Sequence, residues 1–501
     1  MIRSRAARTA VLALSPRPWT CRACLSRRQY SQKPTAPKQD REPPDHRTLG
    51  HKQELFMNSI YSPGSPIFLP NGTRIFNRLV DFLRKQYVRY GFEEVITPTI
   101  YKKSLWAKSG HLENYADDMY SVTGNTKSSP PATECCGNEE KTKPEEEAES
   151  EYGLKPMNCP GHCLIFASKQ RSYRELPIRY ADFSPLHRNE ISGALSGLTR
   201  VRRFHQDDGH IFCRPSQVEE EIRKTLDFVK VVYSVLRLGV SYRLALSTRP
   251  ADHYIGTEEE WNRAENALRR ALDASGMEWS VNEGDGAFYG PKIDIILKDS
   301  DGKEHQTATV QLDFQLPKRF ELEYQAPAPE YEARGETTQD PELLAHYGPV
   351  RPVMVHRAVL GSVERLMALL IERFDGKWPF WLNPKQAIIL TVNTSEPVVQ
   401  WAEKVRDVLV GNDRDFSAPA DTSAPWASAE PMTVPTGLAV DVDVTARSLG
   451  AKIREARALG YGEIWVVGEQ DVKDQTVSLG KEKWSPESAR DRMRNMVLAF
   501  Q

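Results

Sequence analysis

The sequence predicts an α+β region whose strands fold back on one another, followed by a small α/β domain. Three observations carry this expectation. Residues 200–212 read as a strand, whose side chains alternate between two faces. Arg200, Phe204, Gln206, Asp208 and His210 would then share one face. A cation, an aromatic plate, an amide, a carboxylate and an imidazole make poor core but suit an anionic nucleotide beside a small zwitterion. A salt-bridged outer sheet face is the plainer reading of a polar strand; the aromatic and the imidazole in the row point instead to a site. The second observation lies just upstream, in Pro185-Leu-His-Arg-Asn-Glu190, where Arg188 and Glu190 are two apart on one strand face. The Gly/Ser-rich stretch 192–197 can turn that strand back as a hairpin. The third is the alternation of apolar strands and helices beyond Lys385.

Taken in order, the chain opens on a basic segment. From Met1 to Gln39 there are nine Lys/Arg and no Asp or Glu, and Val11-Leu-Ala-Leu14 is stopped by Ser15-Pro16. Such an acid-free, Arg- and Ser-containing start resembles a mitochondrial transit peptide, taken as residues 1–30. Residues 31–54 are Pro- and charge-rich and read as linker. Pro70-Asn-Gly-Thr73 reads as a turn. From Thr73 to Tyr90 the residues Ile75, Phe76, Leu79, Phe82, Leu83 and Tyr87 recur at helical spacing, and Gly91 closes that helix. Residues 92–98 follow as a strand ended by Pro98. An acidic low-complexity insertion spans 124–151 and holds Cys135 and Cys136. Residues 353–360 form a further strand. Val363, Leu366, Met367, Leu370, Ile371 and Phe374 then line an apolar helix stripe, with Arg365 off it in the first turn. Residues 378–384 read as the linker to the second domain. There, 387–392 and 463–467 are strands, 401–410 and the basic stretch 446–459 are helices, and 411–437 is a second low-complexity insertion.

Composition excludes several classes. With 67 Lys+Arg against 68 Asp+Glu, global charge does not announce nucleic acid, so any RNA contact must come from local patches. No apolar run reaches the roughly 18–20 residues that a membrane helix needs. Seven cysteines in 501 residues do not make a disulfide scaffold, and Cys21-x-x-Cys24 has no second pair to complete a metal knuckle.

The hairpin 185–206, the strand and helix 353–366, and the helix and strand ending at Pro98 together resemble the three signature motifs of class II aminoacyl-tRNA synthetases. Leu154-Lys-Pro-Met-Asn-Cys-Pro-Gly-His162, Gln206-Asp-Asp-Gly-His210, Phe288-Tyr-Gly-Pro-Lys292, Thr309-Val-Gln-Leu-Asp-Phe314 and His356-Arg-Ala-Val-Leu-Gly-Ser362 narrow the resemblance to the threonyl-tRNA synthetase family, over roughly residues 55–500. It implies a catalytic domain at 55–384, an antiparallel sheet flanked by helices, and a small α/β anticodon-binding domain at 385–501. It also implies ATP-dependent activation of L-threonine to threonyl-adenylate, transfer to mitochondrial tRNA(Thr) in the matrix, and a homodimer built on residues 79–98.

By the same resemblance Arg188 and Arg365 are catalytic. Arg188 would hold the α-phosphate, where charge develops, and Phe204 and Arg365 would sandwich the adenine. Glu190, Arg200 and Gln311 complete the ATP contacts. Gln206, Asp208, Tyr289, Gln306 and Thr309 surround the amino acid, and Cys159, His210 and His356 hold one Zn²⁺ per subunit, with Mg²⁺ accompanying ATP. Spacing alone suggests no metal here, since the three ligands fit no zinc-finger pattern. His162, His187 and His205 are expected as core or supporting histidines. Lys452, Arg454 and Arg457 are expected to meet tRNA phosphates.

This chain departs from the family pattern at Arg203, where glycine is usual, and at His305-Gln-Thr-Ala-Thr309, where Trp-Gln-Cys-Gly-Thr is usual. With presequence and linker filling everything before Leu55, no hydrolytic editing domain is expected, and some serine activation is. The competing reading is a catalytically inactive synthetase paralogue acting as an RNA-binding regulator; the presence of Arg188, Arg365, Cys159, His210 and His356 argues against it.

Overall fold

The computed structural model describes residues 43–501 apart from 124–150, 239–241, 253 and 413–434. The transit peptide, Cys21, Cys24, Cys135 and Cys136 lie outside these residues, as do all of the first insertion but Glu151 and most of the second. Among the described residues no helix is long and apolar enough to cross a membrane.

The stretch read as linker ends in an ordered helix, α1 (His46–Lys52), because Asp45 accepts from the backbone N–H groups of Arg47 and Thr48 and caps it. The next helix, α2 (Pro70–Tyr90), begins three residues before the expected start. Pro70-Asn-Gly-Thr73 is its first turn and not a loop: proline at the N-terminus has no amide to leave unsatisfied, and Asn71 Nδ2 donates to the Gln53 carbonyl at 3.1 Å. The expected strand 92–98 shrinks to β1 (Glu93–Glu94). Beyond it the Thr97 amide and hydroxyl turn to the buried Asp182 carboxylate at 3.1 and 2.6 Å, so a side chain replaces the ladder.

The remaining core elements are α3 (Cys159–Ala167), β2 (Ile178–Asp182), β3 (Pro185–His187), β4 (Arg203–Cys213), α4 (Val218–Val235), β5 (Arg243–Ser247), α5 (Glu258–Ser275), β6 (Trp279–Asn282), β7 (Lys292–Lys298), β8 (Glu304–Asp313), β9 (Val353–Ser362) and α6 (Val363–Arg373). One sheet runs in the order β6-β5-β7-β8-β9-β4-β2-β1, with β3 paired to the start of β4. Its pairings are antiparallel except at the two edges, where β5–β6 and β1–β2 are parallel. Helices α2, α4, α5 and α6 cover one face. Leu79, Leu83, Ile222, Val229, Leu268, Leu366 and Leu370 meet Ile293, Ile295, Val310, Leu312 and Val355 of the sheet in one continuous core. Each such aliphatic contributes roughly 1.5–3 kcal/mol by leaving water. The opposite face is covered at one end by α3, whose Cys163 and Phe166 pack with Tyr180, Phe212 and Met354, and is open over the polar rows.

Two irregularities re-aim side chains on that open face. Between β7 and β8, Ile295 faces Ala308 and Ile296 faces Gln306, so Thr307 is an extra residue. Gln306 and Thr309 differ in parity, yet the bulge brings both to the open face. Between β9 and β4, Ala358 faces Asp208 and Ser362 faces Gln206, which leaves slack on β9. The Asp207 carboxylate fills it, accepting from the Val359 and Leu360 amides at 2.8 Å each. Gly361 closes this bulge at φ 66°, and a Cβ there would lie 1.8 Å from the Thr307 carbonyl oxygen, so only glycine fits.

Residues 378–384 are not an exposed linker. Trp378, Trp381 and Leu382 sit in the large core, while Phe380 joins the core of the second domain. Phe82, Trp381 and Phe500 form a trio of edge-on rings with centroids 5.2–5.7 Å apart. The second domain comprises β10 (Ala387–Thr391), α7 (Glu396–Val410), β11 (Val440–Asp443), α8 (Leu449–Ala458), β12 (Glu463–Val467), β13 (Val477–Leu479), β14 (Glu482–Trp484) and α9 (Pro486–Leu498). Its strands order as β11-β10-β12-β13-β14, parallel among the first three and antiparallel thereafter. This is the expected small α/β architecture.

Candidate active site

The open face of the large sheet forms a cleft of about 440 Å³, and every one of the fourteen expected site residues lines it. The period-two row of β4 is there as read, with Phe204, Gln206, Asp208 and His210 pointing in. Arg200 lines the cleft too, but from the turn before the strand, where its guanidinium meets Glu190 Oε2 at 2.7 Å.

One end of the cleft is cationic. Arg188 follows β3 and holds its guanidinium carbon 5.0 Å from the Phe204 ring centroid. The cation over the Phe204 ring is Arg188, and Arg365 lines the same cleft. Arg365 donates from Nε to the Thr199 carbonyl at 2.9 Å and from a terminal nitrogen to the Gln306 carbonyl at 2.8 Å. Its helix start is fixed by Ser362, whose hydroxyl caps the Arg365 amide at 3.2 Å. Burial, then the neighbouring charges of Arg188 and Arg200, push the Arg365 pKa down. That crowding of like charge is what an anionic ligand would relieve.

The other end is a buried sulfur and nitrogen cluster. Cys159 at the start of α3, His210 on β4 and His356 on β9 bring one ligand atom each within 4.8 Å of the others. His356 Nε2 lies 2.7 Å from Asp313 Oδ2, so that nitrogen carries the proton and Nδ1 keeps its lone pair. That Nδ1 faces His210 Nε2 at 3.0 Å. Burial, reinforced by His162 and His356, holds the His210 pKa well below its usual range. A thiol and two ring nitrogens with a supporting carboxylate fit a metal ion by donor chemistry.

Between the two ends lie the remaining polar groups. Asn158 Nδ2 donates to Asp208 at 3.1 Å, and the Tyr289 hydroxyl donates to Gln311 Oε1. The Tyr289 ring stacks on His356, centroids 5.1 Å apart. Gln306 donates to Asp294, and Thr309 Oγ1 lies 3.4 Å from the same carboxylate.

Residues 141–334 match the class II core domain shared by tRNA synthetases of the G, H, P, S and T type, and 386–483 match an anticodon-binding domain. A Schizosaccharomyces pombe protein named as a probable mitochondrial threonine–tRNA ligase is 49% identical over 438 residues, 87% of this chain and 84% of that protein. The chain belongs to the threonyl-tRNA synthetase family. The Saccharomyces cerevisiae mitochondrial threonine–tRNA ligase is 46% identical over 445 residues, 86% of this chain and 85% of that one. A crystal structure described as the RNA-binding domain of threonyl-tRNA synthetase from Cryptosporidium parvum superposes with a TM-score of 0.72 at 42% identity, covering 90% of this chain and 98% of that one.

Within this family fold, several cleft and supporting residues escaped the sequence reading. Asp313 was legible in principle, being two residues after Gln311 on the same strand face. Lys292, between Asp285 and Asp294 at 3.2 and 3.0 Å, lines the cleft from the end of a quoted motif. His111, buried against Cys159 with Nε2 3.9 Å from Sγ, had no periodic signal. Its pKa is pushed down to about 3 by burial and then by His356. His162 and His205 support the site as expected: His162 Nδ1 meets His210 Nδ1 at 2.7 Å, and His205 bonds Glu364 at 2.8 Å. Lys452 corrects an expectation. It is buried, with its ammonium on the Thr391 and Asp443 carbonyls at 2.9 and 3.1 Å, so it cannot reach a phosphate. Arg454 and Arg457 on the same helix are exposed.

Proposed function

We propose that this chain is a mitochondrial threonine–tRNA ligase, activating L-threonine with ATP and passing it from threonyl-adenylate to tRNA(Thr). The observation that carries the reading is the two-ended cleft, cationic at Arg188 and metal-binding in type at Cys159, His210 and His356. Such a cleft spans a nucleotide and a small amino acid together.

In this reading the adenine lies between Phe204 and Arg365, and Arg188 faces the α-phosphate as the threonine carboxylate attacks it. A fixed cation there stabilises developing charge without reorganising. Asp208 accepts from the substrate amino group, with Tyr289, Gln306 and Thr309 around it. Glu190, Arg200, Gln206, Gln311 and Arg365 complete the walls. Cys159, His210 and His356 would hold Zn²⁺, which would supply Lewis-acid binding to the amino and hydroxyl groups of threonine and so distinguish it from isosteric valine, which lacks the hydroxyl. Magnesium enters with ATP. The mitochondrial names of the two yeast relatives and the acid-free basic start of the chain support a matrix location.

Purified protein is expected to exchange pyrophosphate into ATP only when threonine is present, and to carry about one zinc per chain. Cys159→Ala should lose both. Threonine-independent exchange, or full zinc and full activity in the variant, would sink the reading.

The homodimer belongs to the same proposal. Val88 and Ile96, in the segment expected to form the interface, are 80% and 88% exposed in the single chain. A symmetric dimer packed through that segment would bury them. Sedimentation at micromolar concentration should give a dimer, and Ile96→Glu should shift it toward monomer. An active wild-type monomer would refute this part.

A further inference from the structure

The turn 196–200 presents Thr199 and Arg200 to the nucleotide end of the cleft. The Thr199 amide and hydroxyl both donate to the Ser196 carbonyl at 2.8 Å, which sets the shape of the turn but not its place against the cleft. That place is held from two sides. On one side, Arg365 Nε donates to the Thr199 carbonyl at 2.9 Å. On the other, the fully buried Leu198 gives its backbone N–H to His46 Nε2 at 3.2 Å.

The partners of His46 fix its tautomer. Its Nδ1 lies 2.7 Å from Glu372 Oε1. A carboxylate only accepts, so Nδ1 carries the proton and Nε2 is left as the acceptor that Leu198 needs. The other Glu372 oxygen accepts from the Ser300 amide at 3.3 Å, while the Ser300 hydroxyl lies between it and the Pro44 carbonyl at 3.2 and 2.8 Å. Asp45, His46 and Glu372 lie close enough to be mistaken for a cation site; with both ring nitrogens engaged, the imidazole has no lone pair to give. Gly197 completes the fit. At φ 47° a Cβ there would lie 2.2 Å from His46 Nε2, so the ring occupies the space that a side chain would need.

We propose that His46 is a positioning residue for ATP, acting through the Leu198 amide on the 196–200 turn, with Glu372 setting its tautomer. A residue in a stretch whose composition reads as linker thus clamps the nucleotide loop from the side opposite Arg365. Because folding has already ordered the turn, ATP does not bear the cost of ordering it on binding. Loss of the clamp therefore shows in nucleotide binding and not in threonine binding.

This inference rests on the ligase reading for its kinetic arm, so the test includes a direct one. ATP binding is measured by calorimetry, and the KM for ATP and for threonine in pyrophosphate exchange, for His46→Leu, His46→Gln and Gly197→Ala. His46→Leu should raise the Kd and KM for ATP about tenfold, the worth of roughly one buried hydrogen bond. Threonine KM and bound zinc should stay within about twofold. His46→Gln, whose amide oxygen can accept from Leu198, should recover most of the loss. Gly197→Ala, which displaces the ring and also strains the turn at its positive φ, should lose at least as much ATP affinity as His46→Leu, and recovery in His46→Gln decides the matter if His46→Leu does not fold. ATP affinity within about twofold of wild type in both His46→Leu and Gly197→Ala overturns the proposal. So does a rise in ATP and threonine KM together with loss of zinc. A wild-type chain that binds ATP but shows no threonine-dependent exchange would fail the ligase reading, while the calorimetric comparison would still decide on His46.

Discussion

Arg188→Ala is expected to lower kcat for threonine activation by about 10²–10³-fold, the effect of removing one preorganised charge-stabilising donor. Three cations converge on the nucleotide end, and they are not equivalent. Arg200 is paired with Glu190 at 2.7 Å. Arg365 gives its hydrogens to the Thr199 and Gln306 carbonyls at 2.9 and 2.8 Å. Arg188 makes a long 3.4 Å contact from Nε to the Pro156 carbonyl and lies over Phe204, so its terminal nitrogens are the ones available to an incoming phosphate. Arg188→Lys should recover only a small part. An ammonium does not donate as a planar fork. The measurement is single-turnover adenylate formation at saturating ATP and threonine. A kcat within about tenfold of wild type for Arg188→Ala would remove Arg188 from the transition state.

Arg357→Met is expected to cost about 3–5 kcal/mol of stability, because it strands a buried carboxylate. Arg357 is fully buried and donates to Asp207 Oδ2 at 2.9 Å. Its guanidinium carbon lies 4.1–4.8 Å from the ring centroids of Tyr87, Phe92 and Phe228, close enough for each face to favour the cation. Burial already pushes the Asp207 pKa up to about 6 against the pull of that cation and of two backbone amides. Without Arg357 the carboxylate must be neutralised or leave. The double variant Arg357→Met/Asp207→Asn should regain part of the loss, since no buried charge remains and the amide oxygen can still accept from Val359 or Leu360. Chemical denaturation midpoints would check both. A single variant as stable as wild type would show that the pair contributes nothing net.

The period-two reading of β4 succeeded because one strand face is a local property: four alternate residues, one pleat, one cleft. The same rule could not place Gln306 beside Thr309, since a bulge at Thr307 changes the parity and only the partner strand reveals it. Lys452 was misread for a related reason. A lysine on a basic helix looks solvated until the Thr391 and Asp443 carbonyls are seen beneath it. Composition misjudged 378–384 as well, where tryptophans between prolines are core and not hinge. His46 gave no signal at all, because Glu372 and Leu198 are remote in sequence. The metal-type cluster falls between these cases. Its residues were recognisable through family motifs and invisible to spacing, since Cys159, His210 and His356 converge only when α3, β4 and β9 are assembled.

The ring trio of Phe82, Trp381 and Phe500 bears on the order in which this chain can mature. Synthesis proceeds from the N-terminal side, so α2 emerges with Phe82 long before Phe500 exists beside it. Until the second domain has been delivered and has folded back, Phe82 and Trp381 present bare aromatic faces. That edge of the large core is therefore sealed late, by a residue that follows the last helix of the other domain. A chaperone that recognises exposed aromatics has a binding site during that interval, and it loses the site when the ring trio closes.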